Sequence, residues 1–109
     1  MRALLLALYL MISPASAAEA LIAVATNFAG AAEALAADFG TSTGHRIAFS
    51  VGATGKLYAQ IAAGAPFDAF LSADSTTPER LEADGLGIAG TRFSYATGTL
   101  TLWSPDPAR

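Results

Sequence analysis

Two short stretches of the chain carry small, uncharged side chains at places that suit the binding of a small anion. Thr26-Asn27 ends an apolar run of strand length, and Gly52-Ala53-Thr54-Gly55 lies between a second such run and a short apolar helix. At a helix start the backbone N–H groups are free and the helix dipole is positive, so an anion needs neither lysine nor arginine there. We therefore take Thr26, Asn27 and Thr54 as candidate ligands of an anion.

Each stretch also has a purely structural interpretation. Thr26 and Asn27 could serve as an ordinary helix cap, and the glycine stretch could be a tight turn from strand to helix. Their occurrence at two neighbouring strand ends favours a binding site, because ligands of open α/β sheets lie beyond the carboxyl ends of the strands.

Nucleotide binding and histidine catalysis find little support in the sequence. Gly55-Lys56 resembles the end of a phosphate-binding P-loop, but that motif needs glycine at position 50 and serine or threonine at position 57. The chain has Ser50 and Leu57 there, so the motif fails at both places. The single histidine, His45, stands in a predicted exposed loop, where a structural or solvated role is expected.

Enzymatic and metal chemistry are not favoured either. The chain has no cysteine, no G-x-S-x-G motif and no convincing pair of carboxylates, so we predict no catalytic residue, no cofactor and no bare metal ion. Asp74 follows the third predicted strand, and we expect it to cap the next helix rather than to line the cleft.

The hydrophobic pattern predicts an α/β fold with the order β-α-β-α-β-α-β. Predicted strands cover residues 20–26, 46–51 and 67–74, and residues 92–104 are predicted to form two extended segments, the last strand region, with Gly98 as a kink or turn between them. Because the strands alternate with helices, the pattern indicates a parallel-rich sheet with helices on both faces.

The ends of the predicted helices carry recognisable residues. Asn27 is expected to cap the first helix, and Gly64 to end the second helix, residues 56–63, in a left-handed conformation. Thr76–Glu79 has the pattern of a capping box that opens the third helix, which should stop at Gly85.

Residues 1–17 have the features of a signal peptide. A charged start is followed by roughly ten apolar residues and by Ala15-Ser16-Ala17, which predicts cleavage before Ala18 and a periplasmic location. The apolar run is too short to span a bilayer, which takes about 20 residues. A buried N-terminal helix is the alternative.

The charge balance restricts the partners of the protein. Six Lys and Arg stand against nine Asp and Glu, the formal net charge is −3, and no basic run is present. We therefore expect no nucleic-acid or anionic-lipid partner. An anion site in such an acidic chain has to rely on local hydrogen-bond donors, because the overall field opposes it.

Three segments resemble the periplasmic molybdate-binding proteins of molybdate ABC transporters. They are "VATNF" after the first strand, "GATGKLYAQIAAGAPFDAFLSAD" in the middle and "RFSYATGTLTLWS" near the end. The resemblance implies a lobe like those of type II periplasmic binding proteins. Residues 18–109 would then form an incomplete N-terminal lobe, truncated before the second lobe.

The resemblance also implies particular ligands for molybdate or tungstate. Thr26 and Thr54 match the family's two hydroxyl ligands in this lobe, and Asn27 matches the asparagine of relatives that carry "ATN". Many relatives have serine at the position of Thr54. The remaining ligands of the family, a tyrosine hydroxyl and backbone amides, belong to the second lobe.

The predicted function is therefore the capture of molybdate or tungstate without chemical turnover. The receptor is expected to be a monomer whose lobes close over the anion. The closed form would dock on the membrane permease of an ABC transporter, which works with its ATPase. A solute-binding protein for sulfate, phosphate or an organic solute is one alternative. An enzyme or sensor on an α/β fold is another.

Overall fold

Strands and helices alternate along the chain in the computed structural model, which describes residues 17–106 and residue 108. The elements are β1 (Glu19–Ala25), a 3-10 turn (Thr26–Phe28), α1 (Ala29–Thr43), β2 (Arg46–Gly52), α2 (Thr54–Ala62), β3 (Ala69–Leu71) and α3 (Thr76–Ala83). The predicted signal peptide, residues 1–17, lies outside the described residues except for Ala17.

The three strands form one parallel sheet in the order β2-β1-β3, which confirms the predicted sheet type. Ala25 of β1 pairs with Gly52 of β2, and Val24 of β1 pairs with Leu71 of β3. All three strands therefore point the same way and end close to the same edge of the sheet.

The core lies along the central strand β1. Ala23, Val24 and Ala25 are all buried, although successive residues of a strand point to opposite faces, so both faces of β1 are covered at this end. Right-handed crossovers in this strand order place α1 and α2 on opposite faces of the sheet. Leu57 of α2 and Leu81 of α3 are also buried, and the two helices contact each other.

The predicted fourth strand is wrong for the described residues. Residues 91–104 contain no strand, and the side chains of Leu100, Leu102 and Trp103 are exposed. The alternation of threonine and leucine there suits a pleated strand, but a strand also needs a hydrogen-bonding neighbour, and no described residue supplies one. The third predicted strand, residues 67–74, is likewise shorter, with β3 limited to Ala69–Leu71.

The helix ends follow the predictions only in part. Gly64 and Gly85 stand just beyond α2 and α3 with φ of 92° and 72°, as expected for left-handed helix ends. The predicted capping box at Thr76–Glu79 is wrong, because Thr76 is already helical in α3. The Asp74 carboxylate instead accepts a hydrogen bond from the Thr77 backbone N–H at 2.8 Å.

Candidate functional site

The carboxyl ends of the three strands form one edge of the sheet, and the candidate ligands lie along it. Thr26 directly follows β1, and Thr54 comes two residues after the end of β2. The register brings Ala25 beside Gly52, so the residues that follow them leave the sheet side by side. The structure therefore places Thr26, Asn27 and Thr54 at the same edge, as the sequence suggested.

Thr26 and Asn27 lie in the 3-10 turn between β1 and α1, and both are exposed. The predicted capping of α1 by Asn27 is wrong. The 3-10 turn separates the strand from the helix, so the N-cap position of α1 is Phe28, and no side chain caps it. Neither Thr26 nor Asn27 uses its side chain in a hydrogen bond with another described residue, so both polar groups are available to a ligand.

Thr54 is the first residue of α2 and is half-buried. Its Oγ1 accepts a hydrogen bond of 3.2 Å from the backbone N–H of Ala73, which follows β3. Since β2 and β3 flank β1, this bond connects the two outer strand exits across the end of the central strand. A Cβ added to Gly55 would meet no atom within 4 Å, so the space beside this helix start is open.

The helix starts at this edge differ from the start of α3. No side chain caps the 3-10 turn or α2, so the first N–H groups of these two elements stay available to an external acceptor, whereas the Ala29 N–H at the start of α1 donates to the Thr26 carbonyl. At α3 the Asp74 carboxylate takes this role, as the sequence predicted. The hydrogen bond from the Thr77 N–H holds the pKa of Asp74 below its ordinary value.

An aromatic side chain that the sequence did not connect with the site contacts two residues that adjoin it. Tyr95 donates its phenolic hydrogen to the Ser72 carbonyl at 2.8 Å, and its ring lies 4.8 Å from that of Phe28, measured between centroids. The sequence suggested only a core or interface role for Tyr95. No local pattern could have linked it to Ser72, which is 23 residues away along the chain.

Ion pairs between α3 and the segment after it hold that segment in place. Arg92 contacts the carboxylates of Glu79 at 3.1 Å and Glu82 at 3.2 Å, and the Gly90 N–H donates to Glu82 at 2.8 Å. The Gly90 hydrogen bond and then Arg92 lower the pKa of Glu82. These contacts fix the backbone three residues before Tyr95.

An open groove lies elsewhere on the surface. It has a volume of about 510 Å³ and runs between α1 and β2, where Glu33, His45 and Arg46 are among its lining residues. None of the three candidate ligands lines it. The strand ends are the better candidate for an anion site, because a small anion is held by converging hydrogen-bond donors, and a wide groove that includes a carboxylate offers few of them.

Comparison with known proteins identifies similar chains. Residues 20–109 match the family model of bacterial extracellular solute-binding proteins. The chain is 50% identical over 98 residues to the molybdate-binding protein ModA of Azotobacter vinelandii, covering 90% of this chain and 39% of that protein. It is 46% identical over 96 residues to ModA of Rhodobacter capsulatus, covering 88% and 38%.

A solved structure agrees with these matches. The periplasmic molybdate-binding protein of Azotobacter vinelandii superposes with a TM-score of 0.68 at 45% identity, over 70% of this chain and 33% of that one. The chain thus spans about two fifths of the length of the curated relatives that it matches.

Proposed function

The chain belongs to the family of bacterial extracellular solute-binding proteins, and we propose that it supplies one side of a binding site for molybdate or tungstate. The observation that carries this proposal is the edge of neutral donors at Thr26, Asn27 and Thr54, in a chain whose relatives are named molybdate-binding proteins. We propose a periplasmic location and delivery of the anion to the permease and ATPase of an ABC transporter.

The chemistry of the ligand matches the chemistry of the edge. A tetrahedral oxyanion that stays doubly negative at neutral pH offers only hydrogen-bond acceptors, so hydroxyl, amide and backbone N–H groups suit it. The uncapped starts of the 3-10 turn that precedes α1 and of α2 add positive dipole potential. The carboxylate nearest to this edge in sequence, that of Asp74, is engaged with the start of α3.

Binding by neutral donors has a consequence for selectivity. Sulfate and phosphate share the tetrahedral shape, so discrimination has to come from the size of the cavity and the number of donors. The second side of the cavity would come from the part of the family's length that this chain does not span. We propose a monomeric receptor that binds the anion without altering it.

Isothermal titration of the complete gene product tests this function. We expect saturable binding of molybdate and tungstate and much weaker binding of sulfate and phosphate. Tight binding of sulfate or phosphate with no response to molybdate would contradict the assignment. Turnover of the bound compound would contradict the proposal that the protein is a receptor only.

A further inference from the structure

One peptide group at the edge of the site is held at both of its polar ends. Its carbonyl, that of Ser72, accepts the Tyr95 hydroxyl at 2.8 Å, and its N–H, that of Ala73, donates to Thr54 Oγ1 at 3.2 Å. We propose that Tyr95 is a positioning residue of the anion site, which acts through this peptide to orient the Thr54 hydroxyl toward the bound anion. This inference rests on the proposed function.

The two hydrogen bonds of this peptide group run in the same direction, each from donor to acceptor toward Thr54. Tyr95 O–H donates to the Ser72 carbonyl, which polarises the peptide, and the polarised Ala73 N–H then donates to Thr54. Hydrogen bonds arranged in this way strengthen one another, by about 10–30% per bond in condensed-phase estimates. The last member, Thr54 O–H, is therefore a better donor than an isolated hydroxyl.

Because the Ala73 N–H donates to the Thr54 hydroxyl, this hydroxyl is left to act as a hydrogen-bond donor. A hydroxyl has one donor hydrogen and two acceptor lone pairs. The Ala73 N–H occupies the acceptor side, whereas Thr54 donates to no other residue in the described part of the chain. Its hydrogen is thus directed away from Ala73, and an anion that carries only acceptors provides its partner.

The surroundings of Tyr95 keep it in place as a donor. Its ring packs on Phe28, the residue after the candidate ligand Asn27, and the Arg92 ion pairs to α3 anchor the backbone three residues earlier. Desolvation by burial raises the pKa of the Tyr95 phenol above its ordinary value, so it keeps its hydrogen at neutral pH.

The variant Tyr95→Phe in the complete gene product removes the phenolic hydrogen and keeps the ring against Phe28. We expect molybdate to bind about 2–10-fold more weakly, as for one hydrogen bond, with little change in melting temperature. Tyr58→Phe is the matched control, because Tyr58 donates to Asp84 at 2.9 Å and takes no part in the site. An unchanged dissociation constant in Tyr95→Phe, or an equal loss in both variants, would overturn the proposal.

A double-mutant cycle separates positioning from general structural support. In a Thr54→Val background, which lacks the hydroxyl, Tyr95→Phe should weaken molybdate binding no further. The same fold loss in both backgrounds would show that Tyr95 does not act through Thr54.

An NMR measurement without ligand tests the effect of Tyr95 on the Ala73 peptide separately from molybdate binding. The Ala73 amide proton should shift upfield in the NMR spectrum of Tyr95→Phe and stay in place in Tyr58→Phe. If the protein bound no molybdate, the proposed function would fail, but this shift would still reveal the polarised peptide. An unchanged Ala73 resonance would overturn the inference by itself.

Discussion

The carboxyl ends of the strands, with the candidate ligands Thr26, Asn27 and Thr54, form what we call the ligand edge. Single residues at the helix starts distinguish this edge from the rest of the fold. The Asp74 carboxylate accepts the Thr77 N–H in the first turn of α3, whereas no side chain caps the 3-10 turn before α1 or the start of α2. A capping carboxylate next to an anion site would compete with the anion for the same N–H groups and would repel it. Uncapped helix starts therefore suit an anion receptor, although they leave those helices less stable.

The role of Asp74 gives a pH-dependent prediction. Its folded-state pKa is lowered, so it contributes stability above its unfolded pKa, near pH 4, and this contribution is lost as the pH falls through the lower folded value. Asp74→Asn keeps an oxygen that can cap α3 but does not titrate. Below about pH 4, the melting temperature of the wild type should fall more steeply than that of Asp74→Asn.

The control for this experiment is Asp38→Asn on the exposed surface of α1, whose carboxylate makes no hydrogen bond to another described residue. Its melting temperature should follow the wild type across the acid range. Parallel curves for wild type and Asp74→Asn would show that the Asp74 cap does not stabilise the folded state through its charge.

At the scale of the elements, α2 connects the core to the site. Thr54 at its start belongs to the ligand edge, and Leu57, one turn later, is 1% exposed. The side chain of Leu57 also lies beneath Gly52, where an added Cβ would meet it at 3.5 Å. The burial of Leu57 therefore fixes the end of the helix that presents Thr54.

Leu57→Ala tests this anchoring. Truncation of a buried leucine removes its transfer free energy and leaves a cavity, so we expect a loss of about 2–5 kcal/mol in the free energy of unfolding. Leu35→Ala on α1 is the control, because that side chain is 63% exposed and should cost far less. Equal losses in a denaturant titration would contradict the anchoring of α2 by Leu57.

Sequence periodicity predicted β1, β2 and the three helices because each of them has local signals. The apolar run of residues 20–26 became β1, Glu19–Ala25, and Gly64 follows α2 as expected. The fourth strand could not be judged locally, because Leu100 and Leu102 alternate as in a strand whether or not a neighbouring strand exists. Asn27 was misjudged as a cap, since nothing in the sequence signals the 3-10 turn before α1.

The sequence could predict that the candidate ligands lie together, but not which contacts support them. Thr26 and Thr54 follow apolar runs, and the general rule for parallel sheets places such residues together. The contribution of Tyr95 depends on a contact with Ser72 that only the folded chain brings about.

At the scale of the whole molecule, the proposed site would bind an anion although the net charge of the chain is negative. The chain has a formal net charge of −3, so the attraction of a doubly negative ligand has to come from nearby dipoles and hydroxyl groups. The chain spans 39% of the length of its relative from Azotobacter vinelandii, and the rest of that length would supply the opposite wall of the cavity. A single lobe would hold such an anion only from one side.

The central claim is that the ends of β1 and β2 bind the anion, and one measurement tests it most directly. Crystals of the complete gene product grown with tungstate would locate the metal by its anomalous scattering. We predict the anion within hydrogen-bonding distance, about 2.5–3.2 Å, of donors on Thr26, Asn27 and Thr54. An anion bound away from all three residues, for example in the groove between α1 and β2, would contradict this account.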